Sequence, residues 1–132
     1  MENKITQALE ELTINKSFAI GNDLVFIPHF KSSLTDVFKK KVYTDNEITY
    51  CDQFDDSLLR YASTWAAKEA VYKAVKQLST DTLAWNKIEI IREKPAGKPC
   101  VIIHQYPGKY TISLTLSHDG EYVWAIALIE AR

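Results

Sequence analysis

Near the start of the chain, apolar residues return every three or four positions at Ile5, Ala8, Leu9 and Leu12, which predicts an amphipathic helix over 3–14. Residues 18–27 read as a strand interrupted by the polar group Gly21-Asn22-Asp23. A helix is expected over 31–42, ending in Lys39-Lys40-Lys41. Thr44-Asp45-Asn46-Glu47 has the spacing of a capping box, with Thr44 accepting from the Glu47 amide while Glu47 reaches back, so Glu47 has a structural task. The longest helix is expected over 57–78, opened by Asp55-Asp56-Ser57 as acidic cap residues. It carries Ala62, Ala66, Ala67, Ala70 and Ala74, small side chains that let a helix lie close to a sheet.

After Thr82 the period changes to two. Residues 87–93 and 98–104 read as strands joined by the turn Lys94-Pro95-Ala96-Gly97. Tyr110, Ile112, Leu114 and Leu116 then alternate with Thr111, Ser113, Thr115 and Ser117, and 122–130 is apolar on both faces, as a central strand should be. Asp119-Gly120 between them predicts a two-residue hairpin of type I′, with positive φ at both positions. The architecture is α+β: helices in the first half, then an antiparallel sheet packed against the one long helix.

A length of 132 residues fits a single domain on the usual scale of roughly 150 residues. A hydrophobic share of 46%, with three Trp, seven Tyr and five Phe, supplies a core and excludes disorder. No uncharged apolar stretch approaches the roughly 20 residues of a membrane helix, and the first residues hold no apolar leader, so the expected location is the cytoplasm. Sixteen basic residues against 17 acidic ones leave a net charge of −1, which gives no field for nucleic acid. Cys51 and Cys100 are too few for a disulfide framework and read as thiols filling apolar space. His29, His104 and His118 match no zinc pattern.

Two acids stand in apolar surroundings. Asp23 lies inside a strand, where a charge must be satisfied by something. Glu69 lies in the mostly apolar run Trp65-Ala66-Ala67-Lys68-Glu69-Ala70-Val71-Tyr72-Lys73, on one helix face with Lys73 and Trp65. Glu69 and Lys73 suit an exposed ion pair; if strand and helix pack together, Asp23 and Glu69 also suit Mg²⁺, which takes one or two carboxylates and fills its shell with water and phosphate. Lys98, in Gly97-Lys98-Pro99, reads as an edge charge, and His118, in Ser117-His118, as a turn histidine.

In combination these segments resemble the 4′-phosphopantetheinyl transferases. The residues that carry the likeness are Ile20-Gly21-Asn22-Asp23-Leu24-Val25, the Trp65–Lys73 helix run, Gly97-Lys98-Pro99 and Leu116-Ser117-His118. The Ala-Ala-Lys-Glu-Ala helix and the length match the short, holo-acyl-carrier-protein synthase type. The likeness covers about residues 18–130, with 1–14 as an N-terminal helical extension. It implies Mg²⁺-dependent transfer of phosphopantetheine from coenzyme A to a serine of an apo carrier protein, releasing adenosine 3′,5′-bisphosphate. It also implies that Asp23 and Glu69 hold the metal and that Lys73 lies at the pyrophosphate. Lys98, Ser117 and His118 would contact the nucleotide and its phosphates, donated by a neighbouring subunit of a homotrimer. Glu69 is the candidate base. A non-catalytic module binding coenzyme A or a carrier protein is the alternative on the same fold.

Three positions depart from the family pattern. Thr64 stands where short members carry a basic residue, so a phosphate or carrier contact is missing there. Asn22 replaces an apolar residue and puts the backbone near Asp23 in question. Val25 stands where surfactin-type relatives have a second acid, which leaves water to complete the metal shell. Lys39-Lys40-Lys41 with Lys31 forms a positive patch suited to an acidic carrier protein, or a solvated helix end.

Overall fold

The computed structural model describes residues 3–8, 17–92 and 97–132. Residues 3–8 form an exposed helix, α1, and the remainder of the helix expected over 3–14 lies outside the described residues. Strand β1 (Phe18–Phe26) runs through Gly21-Asn22-Asp23 without interruption, in register with β5 from Phe18↔Glu130 to Phe26↔Tyr122. The expected break is absent because Asn22 points outward and Asp23 inward, as strand alternation requires.

The helix expected over 31–42 is two helices, α2 (Ile27–Ser33) and α3 (Asp36–Val42). Thr35 divides them. Its hydroxyl accepts from the Phe38 amide at 3.1 Å, an N-cap bond that a Thr inside a continuous helix would forgo. Asp36 in the first turn and Lys39–Lys41 in the last complement the α3 dipole. The capping box expected at Thr44 is present and opens α4 (Asp45–Asp52).

Helix α5 spans Ser57–Leu78, as expected. Its N-cap residue, Asp56, makes no capping bond; the carboxylate turns instead to Arg60 at 3.2 Å. A 3-10 turn (Trp85–Lys87) precedes β2 (Ile88–Ile91), which pairs with β3 (Cys100–Ile103) as a separate two-stranded antiparallel sheet. Both strands are shorter than expected, and most of the intervening turn lies outside the described residues. Cys51 is buried as expected, but Cys100 is exposed, because β3 has one open face.

The main sheet is antiparallel in the order β1-β5-β4, with β4 at Tyr110–Asp119 and β5 at Tyr122–Ala131. Asp119 pairs with Tyr122, so the loop is Gly120-Glu121 rather than Asp119-Gly120. Gly120 has φ +57°, and no non-glycine described has a positive φ, which is the type II′ pattern rather than the expected type I′.

Ala66, Ala67, Ala70, Val71 and Ala74 of α5 are fully buried against Ala125, Ala127 and Ile129 of β5 and the inner face of β1. At Gly21 the approach is closest: a Cβ there would lie 1.9 Å from the Ala70 carbonyl oxygen. Side chains of α5 also satisfy the open edge of β1. Gln77 Nε2 donates to the Ile20 carbonyl at 2.8 Å and Lys73 Nζ to that of Asn22 at 3.1 Å. The opposite face of the sheet is uncovered, and Phe18, Ile20, Leu24, Tyr122, Trp124 and Leu128 are exposed on it. The second apolar face of β5 is therefore not core within this chain.

Candidate active site

Because β1 lies so close to α5, its inward Asp23 arrives beside Glu69 on the helix, and both line a cleft of about 420 Å³ with His29, Phe38 and Trp65. Burial, then the charge of Asp23 and a hydrogen bond with it, push the Glu69 carboxyl up from 4.5 to about 7; Lys73 opposes them. Lys73 Nζ lies 2.8 Å from Asp23 Oδ1. The ion pair across α5 and β1 thus displaces the simple Glu69–Lys73 pair that spacing alone allowed, and it fixes the carboxylate through one oxygen.

Such a cleft suits a hard divalent cation. Two carboxyls converge where a second negative charge is costly, and the cleft is open enough for water and phosphate oxygens. Val25 lines it without a ligating atom. Among the described residues there is no cluster of three or more His, Cys, Asp or Glu, so a cation here would draw its remaining ligands from water or substrate.

Lys98 and His118 lie elsewhere, together in a cavity of about 610 Å³ shared with Arg60, Ser63 and Arg92. His118 Nε2 is 2.9 Å from the Gly120 carbonyl, the turn contact that its position suggested. Ser117 is its neighbour in sequence but not in orientation. It pairs with Trp124 on the uncovered face of the sheet and does not line the cavity. One chain therefore brings Asp23, Glu69 and Lys73 together, and separately Lys98 with His118, without joining the two groups.

Thr64 is buried, donates to the Arg60 carbonyl at 2.9 Å and lies 3.8 Å from Cys51 Sγ. A basic side chain at that place is replaced by core packing. Behind the cleft, Lys68 is fully buried and paired with Glu47 at 2.7 Å. Its ammonium also donates to the carbonyls of Trp85 and Ile88, while Glu47 Oε2 accepts from the Ile90 amide at 2.8 Å. Burial drives Lys68 down and Glu47 up, and their mutual attraction opposes both shifts. This pair ties α4, α5 and β2 together. The sequence assigned the capping task to Glu47 but gave no sign of Lys68, because a lysine in a helix normally reaches solvent.

Comparison with known proteins shows which sequences and folds this chain is similar to. Residues 19–127 match the family model of the 4′-phosphopantetheinyl transferase superfamily. The holo-[acyl-carrier-protein] synthase of Chlorobaculum tepidum is 35% identical over 116 residues, covering 86% of this chain and 98% of its own. A holo-(acyl-carrier-protein) synthase of Bacillus anthracis, solved in complex with CoA (3′,5′-ADP), superposes with a TM-score of 0.71 at 26% identity, over 86% of this chain and 96% of that one. The Chronobacterium ammoniagenes ACPS-CoA complex gives a TM-score of 0.74 at 24% identity over 89% and 99%, a likeness of fold.

Proposed function

Since the chain belongs to the 4′-phosphopantetheinyl transferase superfamily, we propose that it is a holo-acyl-carrier-protein synthase, moving phosphopantetheine from coenzyme A to a serine of an apo acyl carrier protein. The observation that carries this reading is the meeting of Asp23 and Glu69 in one cleft, with Lys73 holding the aspartate. Residues 18–130 would be the catalytic domain, in a cytoplasmic enzyme whose free cysteines suit a reducing compartment.

In the reaction, the serine oxygen bonds to the phosphorus nearest pantetheine, the anhydride bond to the nucleotide breaks, and adenosine 3′,5′-bisphosphate leaves. Mg²⁺ held by Asp23 and Glu69 would supply charge neutralisation at the pyrophosphate. Lys73 keeps Asp23 in place and adds a positive charge at the cleft edge. Glu69 is the candidate to accept the serine proton, directly or through a water. Lys98 and His118 would hold the nucleotide. They are in a different cavity from Asp23, so a complete site needs a second copy of the chain. The exposed Leu24, Trp124 and Leu128 supply an apolar face for that assembly, a homotrimer by this reading, and Ser117 on the same face would meet the ligand from the neighbour.

The carrier protein would dock beside the cleft on α2 and α3. Lys31, Lys40 and Lys41 are exposed there around Val37, which is 78% exposed, while Lys39 lies over the Tyr61 ring at 4.6 Å. Incubation with Mg²⁺, coenzyme A and a panel of apo carrier proteins should add one phosphopantetheine mass to a single serine. Absence of an adduct with every carrier overturns the reading, and coenzyme A binding without product selects a binding module instead.

A further inference from the structure

Helix α5 packs chiefly on β1 and β5, while β3 lies beside β4. Between β3 and β4 there is a groove of about 300 Å³ with apolar walls, among them Val101, Ile102, Ile103, Tyr110 and Ile112. Ile102 is 40% exposed. Cations border the groove. Arg132 lines it and donates from Nε to Thr111 Oγ1 at 2.9 Å; the Lys109 ammonium lies over the Tyr110 ring at 5.6 Å and 3.7 Å from Asp81 Oδ2. Tyr110 and Ile112 share the side of β4 that carries buried Leu114, opposite to Ser117. The groove is therefore separate from the uncovered face of the main sheet.

The same chain carries an apolar surface with no seat of its own. Every described residue of α1 is exposed, and Ile5 is 59% exposed. The apolar period that Ile5 begins continues in sequence through Ala8, Leu9 and Leu12, with the acids Glu10 and Glu11 between them. An apolar stripe with acidic neighbours is the complement of an apolar groove with basic neighbours. The chain also enters the body at the right end. The Ser17 carbonyl accepts from the Ala131 amide at 2.7 Å, and Ala131 pairs with Tyr110 at the groove wall. Residues 9–16 span at most about 28 Å when extended, enough to carry α1 beyond its own chain.

We propose that α1 is an arm that docks, Ile5 first, in the β3–β4 groove of a second copy of this chain. Its own chain leaves both surfaces unfilled, so a neighbour is what brings them together. Each copy offers one arm and one groove, and the contact recurs from copy to copy until the assembly closes. The arm covers apolar walls that water would otherwise reach, and Arg132 and Lys109 face its acidic side. This contact is distinct from the sheet-face assembly and does not depend on what the chain catalyses.

The test is cross-linking between full-length chains that carry Cys100→Ser, so that no exposed native thiol interferes. One chain also carries Ile5→Cys and the other Ile102→Cys, and the two are refolded together with a short thiol-to-thiol cross-linker. A product of twice the chain mass, joined between positions 5 and 102 by peptide mapping, should form in the mixture and in neither variant alone. Both positions are exposed within one chain, so the substitutions leave its core intact. As a second measurement, Ile5→Asp should weaken self-association about tenfold or more in sedimentation, the scale of losing one buried aliphatic side chain. Ile5→Asp in the cross-linking chain, with Ala8→Cys as the reactive site, should remove the 8-to-102 product that Ala8→Cys alone gives. Absence of a mixed product overturns the proposal. So does a link formed only within single chains carrying both cysteines, which would make the arm a partner of its own groove. Unchanged self-association in Ile5→Asp overturns it as well.

Discussion

The carboxyl of Glu69 keeps its proton up to about 7 because burial and the facing Asp23 both oppose a second negative charge in the cleft. A pH dependence follows for the metal-free protein. The unfolded chain releases this proton near 4.5 and the folded chain near 7, so between those values the folded state binds more protons. Stability should therefore fall as pH rises through that window and level off above it. Urea midpoints measured in EDTA should show this slope in wild type and lose most of it in Glu69→Gln; equal slopes would disprove the assignment. Added Mg²⁺ should stabilise more at about pH 8 than at about pH 6, where it must first displace the proton. At this scale Asp23 and Glu69 were legible in the sequence, since an acid among apolar neighbours has to be compensated. Ser117 and His118 were less so: adjacent strand residues face opposite ways, and the motif they form does not say which face meets the ligand.

Between elements, the decisive contact is the backbone of β1 against that of α5. Gly21 has no side chain because the Ala70 carbonyl occupies the place where one would begin, and a backbone oxygen has little room to give. Gly21→Ala should cost about 3 kcal/mol in urea denaturation, at the upper end for overpacked sites. It should also weaken Mg²⁺-dependent activity, since pushing β1 away moves Asp23 from Glu69; a loss below about 1 kcal/mol would show that the helix can shift freely. The alanines of α5 announced a close approach, and the helix bounds matched. The division of α2 from α3 was missed because Thr35 can either continue a helix or cap one, and the choice depends on where the following turn packs. The hairpin was placed correctly but one residue early. Asp119 remains in the strand, paired with Tyr122, and glycine takes the only positive φ that the turn requires.

At the scale of the molecule, the two halves of the proposed site lie in separate hollows of one chain, and the sheet between its open edges presents an uncovered apolar face. If the site is shared between subunits, Asp23→Ala and Lys98→Ala each damage a different half of it. Each variant alone should be nearly inactive, yet refolding them together should restore a substantial part of the transferase activity, because mixed assemblies contain some sites with both halves intact. No recovery in co-refolded mixtures would mean that each chain builds its own site.

The residues by themselves determined the α+β class, the long helix, the alternation of β4 and the acids that had to be satisfied, because period, capping and isolated charge are local properties. Tertiary structure decided which oxygens share a cleft, that Lys73 turns to Asp23 rather than Glu69, and that Thr64 and Lys68 belong to the interior. Those outcomes depend on distances between segments far apart in sequence. Here they were set by how near one helix can lie to one strand at a glycine.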